Sequence, residues 1–171
     1  MSKKPEPKKE EKKPAAAPAA KPAAKPAAKE PEVKWKIPEN LLYTKTHQWF
    51  DEKTGKVGLT AYATDKLGEI SFVDLDGIDG AELTQVEMSG DNPASDPIDA
   101  NVESSKAVGD LYSPVSGTVK KINSALMDAP ETINEDPYGK GWLFTIEPSN
   151  LDEEKSKLLS AKAYKAFVAK L

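Results

Sequence analysis

Seven of the 14 prolines in this chain fall within its first 34 residues, where 10 Lys, 9 Ala and 5 Glu fill nearly every other position. Such a segment has nothing to bury, since Met1 and Val33 are its only aliphatic side chains larger than Ala. From Ala15 to Lys29 the run AAAPAAKPAAKPAAK sets a Pro every four residues, and each Pro removes an amide donor and clashes with the preceding turn. The expectation for residues 1–34 is therefore a disordered Lys/Pro/Ala-rich tail or linker, extended to at most ~3.1 Å per residue. Residues 35–171 carry all 3 Trp, 5 Tyr and 4 Phe, enough for one compact domain.

Charge divides the same way. The tail sets 10 Lys against 5 Glu, whereas the remainder sets 14 Lys against 23 acids. An acidic body argues against nucleic acid as the partner, because phosphate neutralisation needs a basic face. The sequence holds no Cys and one His, which removes thiolate metal sites, a cysteine nucleophile and paired imidazole ligands. No apolar run is long enough to span a bilayer, and neither a signal peptide nor an Arg-rich transit peptide is legible. The expected setting is the cytoplasm, without membrane contact.

After Trp35 the pattern turns to short β-type runs broken by turn residues: Leu41 to Phe50, Val57 to Tyr62, Ile70 to Leu75, Leu111 to Ile122 and Trp142 to Ile146. Thr64 to Leu67 predicts a single helical turn closed by Gly68. Asn150 or Asp152 predicts a helix start, and Leu158, Leu159, Ala163, Tyr164 and Phe167 recur at helical spacing. Residues 88–101 contain two Pro and little that is apolar, which predicts a long exposed loop anchored by Ile98. Its acids lack the alternating spacing of a calcium loop. The class is mostly β, with short C-terminal helices.

Catalytic groups are scarce. His47 lies in an apolar stretch and reads as a packed structural residue. There is no phosphate-binding glycine loop and no nucleophile elbow. The distinctive stretch is Val102 to Val119, where Ser104 and Ser105 sit between two apolar residues and place Lys106 near a hairpin tip. A tip amine on a four-carbon stem can enter another enzyme's cleft and be acylated there.

The surrounding residues resemble the H protein of the glycine cleavage system. The matching stretches include Tyr43-Thr44 and His47-Gln48-Trp49, Leu67-Gly68-Glu69, Phe72-Val73-Asp74-Leu75, Glu103-Ser104-Ser105-Lys106-Ala107, Leu111 to Gly117, Ile133-Asn134 and Asp136-Pro137-Tyr138-Gly139. The resemblance implies a lipoyl-domain-like hybrid of barrel and sandwich, not itself an enzyme, with lipoate joined covalently to Lys106. It implies visits to glycine decarboxylase, aminomethyl transferase and lipoamide dehydrogenase, after modification by a lipoate ligase or lipoyl transferase. The redox sulfur then comes from the cofactor, consistent with a chain that has no Cys. Glu103 and Asp110 flank the lysine with negative charge, and Ser104 and Ser105 shape its turn.

In members that retract the loaded arm into a cleft, the contributing positions correspond here to Thr46, Gln48, Lys66 and Asp110. Three features depart from the usual pattern. Gln48 stands where an acid is usual, and Lys66 adds a positive charge near any carried amine. The loop between Gly80 and Glu103 is longer than usual. The tail resembles the swinging linkers of dihydrolipoyl acyltransferases, and it raises the local concentration of the carrier if its start is held. These departures leave two alternatives: an H-like lipoyl carrier of another pathway, such as sulfur oxidation, or a non-lipoylated interaction module.

Overall fold

The computed structural model describes residues 31–171; of the tail expected over residues 1–34, Met1 to Glu30 lie outside the described residues, and within 31–34 Val33 packs against the body. In chain order the strands are β1 (Leu42–Tyr43), β2 (Gln48–Phe50), β3 (Lys56–Leu59), β4 (Ile70–Asp74), β5 (Glu82–Leu83), β6 (Met88–Ser89), β7 (Asn92–Pro93), β8 (Asn101–Ser104), β9 (Val108–Asp110), β10 (Gly117–Ile122) and β11 (Phe144–Pro148). The helices are α1 (Ala61–Leu67), α2 (Ala125–Asp128), α3 (Thr132–Glu135), α4 (Leu151–Glu154) and α5 (Ala161–Val168). A six-stranded sheet runs β1-β2-β3-β11-β10-β5, and a three-stranded sheet runs β4-β8-β9. The two sheets form the expected hybrid of barrel and sandwich.

Alternation along the strands builds the core between the sheets. Val73 and Val102 are opposite each other on β4 and β8, and both are buried. Phe50, Val57, Val119, Phe144 and Ile146 enter the same cluster from the larger sheet. A second cluster lies on the other side of β1 and β2, where Tyr43 and Trp49 meet Ile37, Leu41, Tyr62, Tyr164 and Val168. Tyr43 and Tyr164 stack with ring centres 4.7 Å apart, so α5 is fixed to the sheet by an aromatic pair. Val33 and Trp35 pack against this cluster too, which ties the start of the described chain to the body.

Several boundaries differ from those read in the sequence, each for a local reason. The run from Leu41 to Phe50 is two strands, because Thr44 accepts from the Gln48 amide at 3.1 Å and His47 takes a left-handed φ of 68°. The run from Val57 to Tyr62 stops at Leu59. There Thr60 is extended and its hydroxyl accepts from the Ala63 amide at 3.2 Å, so α1 starts three residues before the expected turn at Thr64. It ends at Gly68, as expected. From Leu111 to Ile122 only residues from Gly117 onward pair as a strand. The expected loop at 88–101 includes the small β6–β7 hairpin, which Lys45 ties down through Asp91 at 2.7 Å and the Gly90 carbonyl at 3.0 Å. The C-terminal helices are α4, which begins after Asn150, and α5, where the Ser160 hydroxyl accepts from the Ala163 amide at 3.2 Å.

Candidate functional site

Strands β8 and β9 pair Asn101 with Asp110, Val102 with Gly109 and Glu103 with Val108, which leaves Ser104 to Ala107 to turn the chain. The Ser104 amide donates to the Ala107 carbonyl at 2.8 Å. The Ser104 hydroxyl accepts from the Lys106 and Ala107 amides at 3.3 and 3.2 Å, pinning the turn from within. Ser105 and Lys106 are exposed, and among the described residues Lys106 makes no ion pair.

The lysine stem has a bed. Gly68, just after α1, has φ 81° and ψ −158°, a backbone region open essentially to glycine alone. A Cβ there would lie 2.9 Å from Lys106 Cε and 3.4 Å from its Nζ, so the bare glycine lets the stem lie close. Asn134 of α3 brackets this point: its Nδ2 donates to the Gly68 carbonyl at 2.8 Å, and its Oδ1 accepts from the Ile70 amide at 2.9 Å.

Beside this bed opens a cleft of about 200 Å³. Thr46, Gln48, Lys66 and Asp110 all line it, together with His47, Tyr62, Leu67 and Gly109. The four positions come from the β1–β2 turn, β2, α1 and β9, so folding alone assembles them. Gly109 keeps the cleft floor low, since a Cβ there would meet Val102 Cγ2 at 3.0 Å and both Leu67 methyls at 3.2 Å. A larger groove of about 440 Å³ runs along Thr44, Lys45, Gln85 to Met88 and Leu158, with no residue of the Lys106 hairpin in it. A third groove, of about 580 Å³, takes in Gly68 and Asn134 themselves. The smaller cleft adjoins the lysine bed through Leu67, next to Gly68, and is marked by gathering Thr46, Gln48, Lys66 and Asp110.

The cleft sets the Gln48 amide and the Lys66 ammonium as donors beside one carboxylate, Asp110. Gln48 is 1% exposed; its Oε1 accepts from the Thr44 hydroxyl at 3.2 Å and from the Thr46 hydroxyl, while its Nε2 is buried without a partner. A buried donor left unpaired costs about 1–3 kcal/mol, so this amide is poised to donate to an incoming acceptor. The Lys66 ammonium lies 5.5 Å from the Tyr62 ring centre and 6.0 Å from that of Trp35. Trp35 meets Tyr62 edge-on and donates to Asp65 at 3.1 Å, and Lys34 pairs with Asp65 at 3.0 Å. That aromatic shelf holds the cation at the cleft.

His47 is the structural residue the sequence suggested. Burial lowers its pKa to about 4, so the ring is neutral at pH 7. Its Nδ1 lies 2.8 Å from the Tyr164 hydroxyl, which is also 2.8 Å from the Thr60 hydroxyl, and burial pushes the Tyr164 pKa up. Tyr62, Leu67, Gly68 and Gly109 join the site with little signal in the sequence, because apolar walls and a bare backbone carry no chemical signature of their own. Leu67-Gly68 next to a predicted helix end was the one available clue.

Comparison with known proteins gives the family. Residues 41–171 match the family model described as "Glycine cleavage H-protein". The chain belongs to the glycine cleavage H-protein family. Among its curated relatives are the glycine cleavage system H protein of Oceanobacillus iheyensis, 46% identical over 77% of this chain and 97% of that one, and a probable glycine cleavage system H protein of Pyrococcus furiosus, 42% identical over 81% and 96%. The crystal structure of a glycine cleavage system H protein from Mycobacterium marinum aligns with a TM-score of 0.63 at 34% identity, over 79% of this chain and all of that one. As an H-family protein the chain is a carrier component and not itself a catalyst. Among the described residues no group of three or more His, Asp or Glu is placed to hold a metal, and no helix is long and apolar enough to cross a membrane.

Proposed function

We propose that Lys106 carries lipoate, and that Thr46, Gln48, Lys66 and Asp110 line the cleft that receives the loaded arm during glycine cleavage. The observation that carries this reading is one exposed amine whose stem lies over Gly68, the residue after Leu67 of a cleft that also gathers Gln48, Lys66 and Asp110. Acylation joins Nζ to a carboxyl carbon, expels the group that activated the carboxyl and takes two protons from the ammonium. The tip thereby becomes neutral, which suits entry past Leu67 and Tyr62. When bound, lipoate supplies a disulfide able to accept an aminomethyl group.

The chain's own residues then do four things. Ser104 holds the turn so that the amine points outward, and Glu103 and Asp110 guide a lipoate ligase or lipoyl transferase to it. Gly68 gives the stem a close path, and Tyr62, Leu67 and Gly109 exclude water from the arm. The partners are glycine decarboxylase, aminomethyl transferase and lipoamide dehydrogenase, met in the cytoplasm. Intact-mass and peptide mass spectrometry of protein from the native host tests the attachment: we expect a lipoyl increment on Lys106 that disappears in Lys106→Arg. An unmodified Lys106 in the wild-type chain defeats the reading and favours a non-lipoylated interaction module.

The Gln48 amide and the nearby Lys66 ammonium favour a second reading of the cargo, an arm loaded with a neutral or acceptor-bearing group for another pathway. Reconstitution with isotopically labelled glycine separates the two. Transfer of label onto the lipoylated chain by the decarboxylase supports glycine cleavage, and failure of a chain that is fully lipoylated supports the other pathway.

A further inference from the structure

Three large apolar side chains are prominently exposed among the described residues: Phe72 at 49%, Val108 at 62%, and Leu171 in the final position. The first two are neighbours. On the three-stranded sheet Phe72 of β4 faces Glu103 of β8, which faces Val108 of β9, so the three form one cross-strand row. The adjacent row reads Asp74, Asn101, Asp110. Val73 and Val102, between these rows along the strands, point inward and are buried, so both rows lie on the outer face.

This face offers acceptors and apolar surface, with no lysine in either row. Asp74, Glu103 and Asp110 make no ion pair among the described residues. With strands ~4.8 Å apart, Phe72 and Val108 stand roughly 10 Å from each other on either side of Glu103. A complementary surface carries an apolar groove rimmed by Lys or Arg donors.

Val108 is two residues from Lys106, which decides among visitors. An enzyme that acylates Nζ works four carbons from the hairpin backbone and has to close over the turn and the sheet beneath it. Components acting on the far end of a lipoyl arm work beyond that stem. We infer that the outer face centred on Phe72 and Val108 is the docking footprint of the enzyme that acylates Lys106. This rests on the reading of Lys106 as the modified residue. The two apolar side chains supply the contact area, and the carboxylates set its approach.

The test is enzymatic lipoylation of the full chain by a lipoate ligase with lipoate and ATP, followed by mass spectrometry. The variants are Val108→Thr, which preserves shape, Phe72→Thr, which keeps strand propensity, and the pair together. The double variant is expected to lose about tenfold or more in kcat/KM, mainly through KM. A small water-soluble acetylating ester should modify Lys106 equally in wild type and variant, showing that the amine and hairpin are intact. Equal enzymatic lipoylation of both overturns the footprint and leaves the Lys106 reading standing. A wild-type chain that the ligase leaves unmodified at Lys106 overturns that reading, and the footprint with it. If the double variant instead turns a dimer into a monomer at unchanged lipoylation, the face belongs to self-association and the inference fails.

Discussion

His47 shows how one residue couples the cleft to pH. Its folded pKa, about 4, lies below the ordinary 6.5, so above pH 6.5 both folded and unfolded chains carry it neutral and it contributes no pH dependence. As pH falls below 6.5 the unfolded chain takes up a proton that the folded chain refuses, and stability declines until about pH 4, by about 3 kcal/mol in all. Urea unfolding of wild type and His47→Asn between pH 7 and 4 checks this. Asn tolerates the left-handed φ at this position, and its variant is expected to show a shallower acid decline. Identical slopes would assign the decline to the carboxylates. The role of His47 as a packed residue was legible from its apolar neighbours, whereas its place on the cleft wall was not, because Tyr164, its partner, lies 117 residues away.

At the scale of elements, the site depends on the link between α1 and β4. Asn134 of α3 holds that link from both sides, through the Gly68 carbonyl and the Ile70 amide. Asn134→Ala leaves both backbone groups without their partner and is expected to cost about 1–3 kcal/mol in denaturant unfolding. The lysine bed should loosen with it, seen as faster deuterium exchange at Gly68 and Ile70. A loss below about 0.5 kcal/mol, the level of a neutral surface change, would show that water substitutes freely for the amide. The helix end at Gly68 was readable from its glycine, whereas the start was expected at Thr64 and α1, capped by the Thr60 hydroxyl, begins three residues earlier. Strand ends were less readable, since the break at Thr44 to His47 comes from a side-chain hydrogen bond that an apolar run conceals.

Across the whole molecule, two apolar clusters share strands β1 and β2. Leu42 and Phe50 pack with the first cluster, and Tyr43 and Trp49 belong to the second. All three tryptophans report on the second, since Trp35 and Trp142 pack against it and Trp49 lies within it. Shared strands predict one cooperative transition, with tryptophan fluorescence and far-UV circular dichroism tracing the same midpoint. Separate midpoints would mean that α5 and the start of the described chain melt independently of the sheets.

By itself the sequence determined the mostly-β class of the fold and the hairpin turn that carries Lys106, because alternation and turn chemistry act within a few residues of each other. Tertiary structure decided the rest. It brought Thr46, Gln48, Lys66 and Asp110 to one cleft, laid the Lys106 stem on Gly68, and left Phe72 and Val108 exposed on either side of Glu103. Each of these depends on register and packing between segments tens of residues apart, where a long-range contact stabilises only once both partners are already folded.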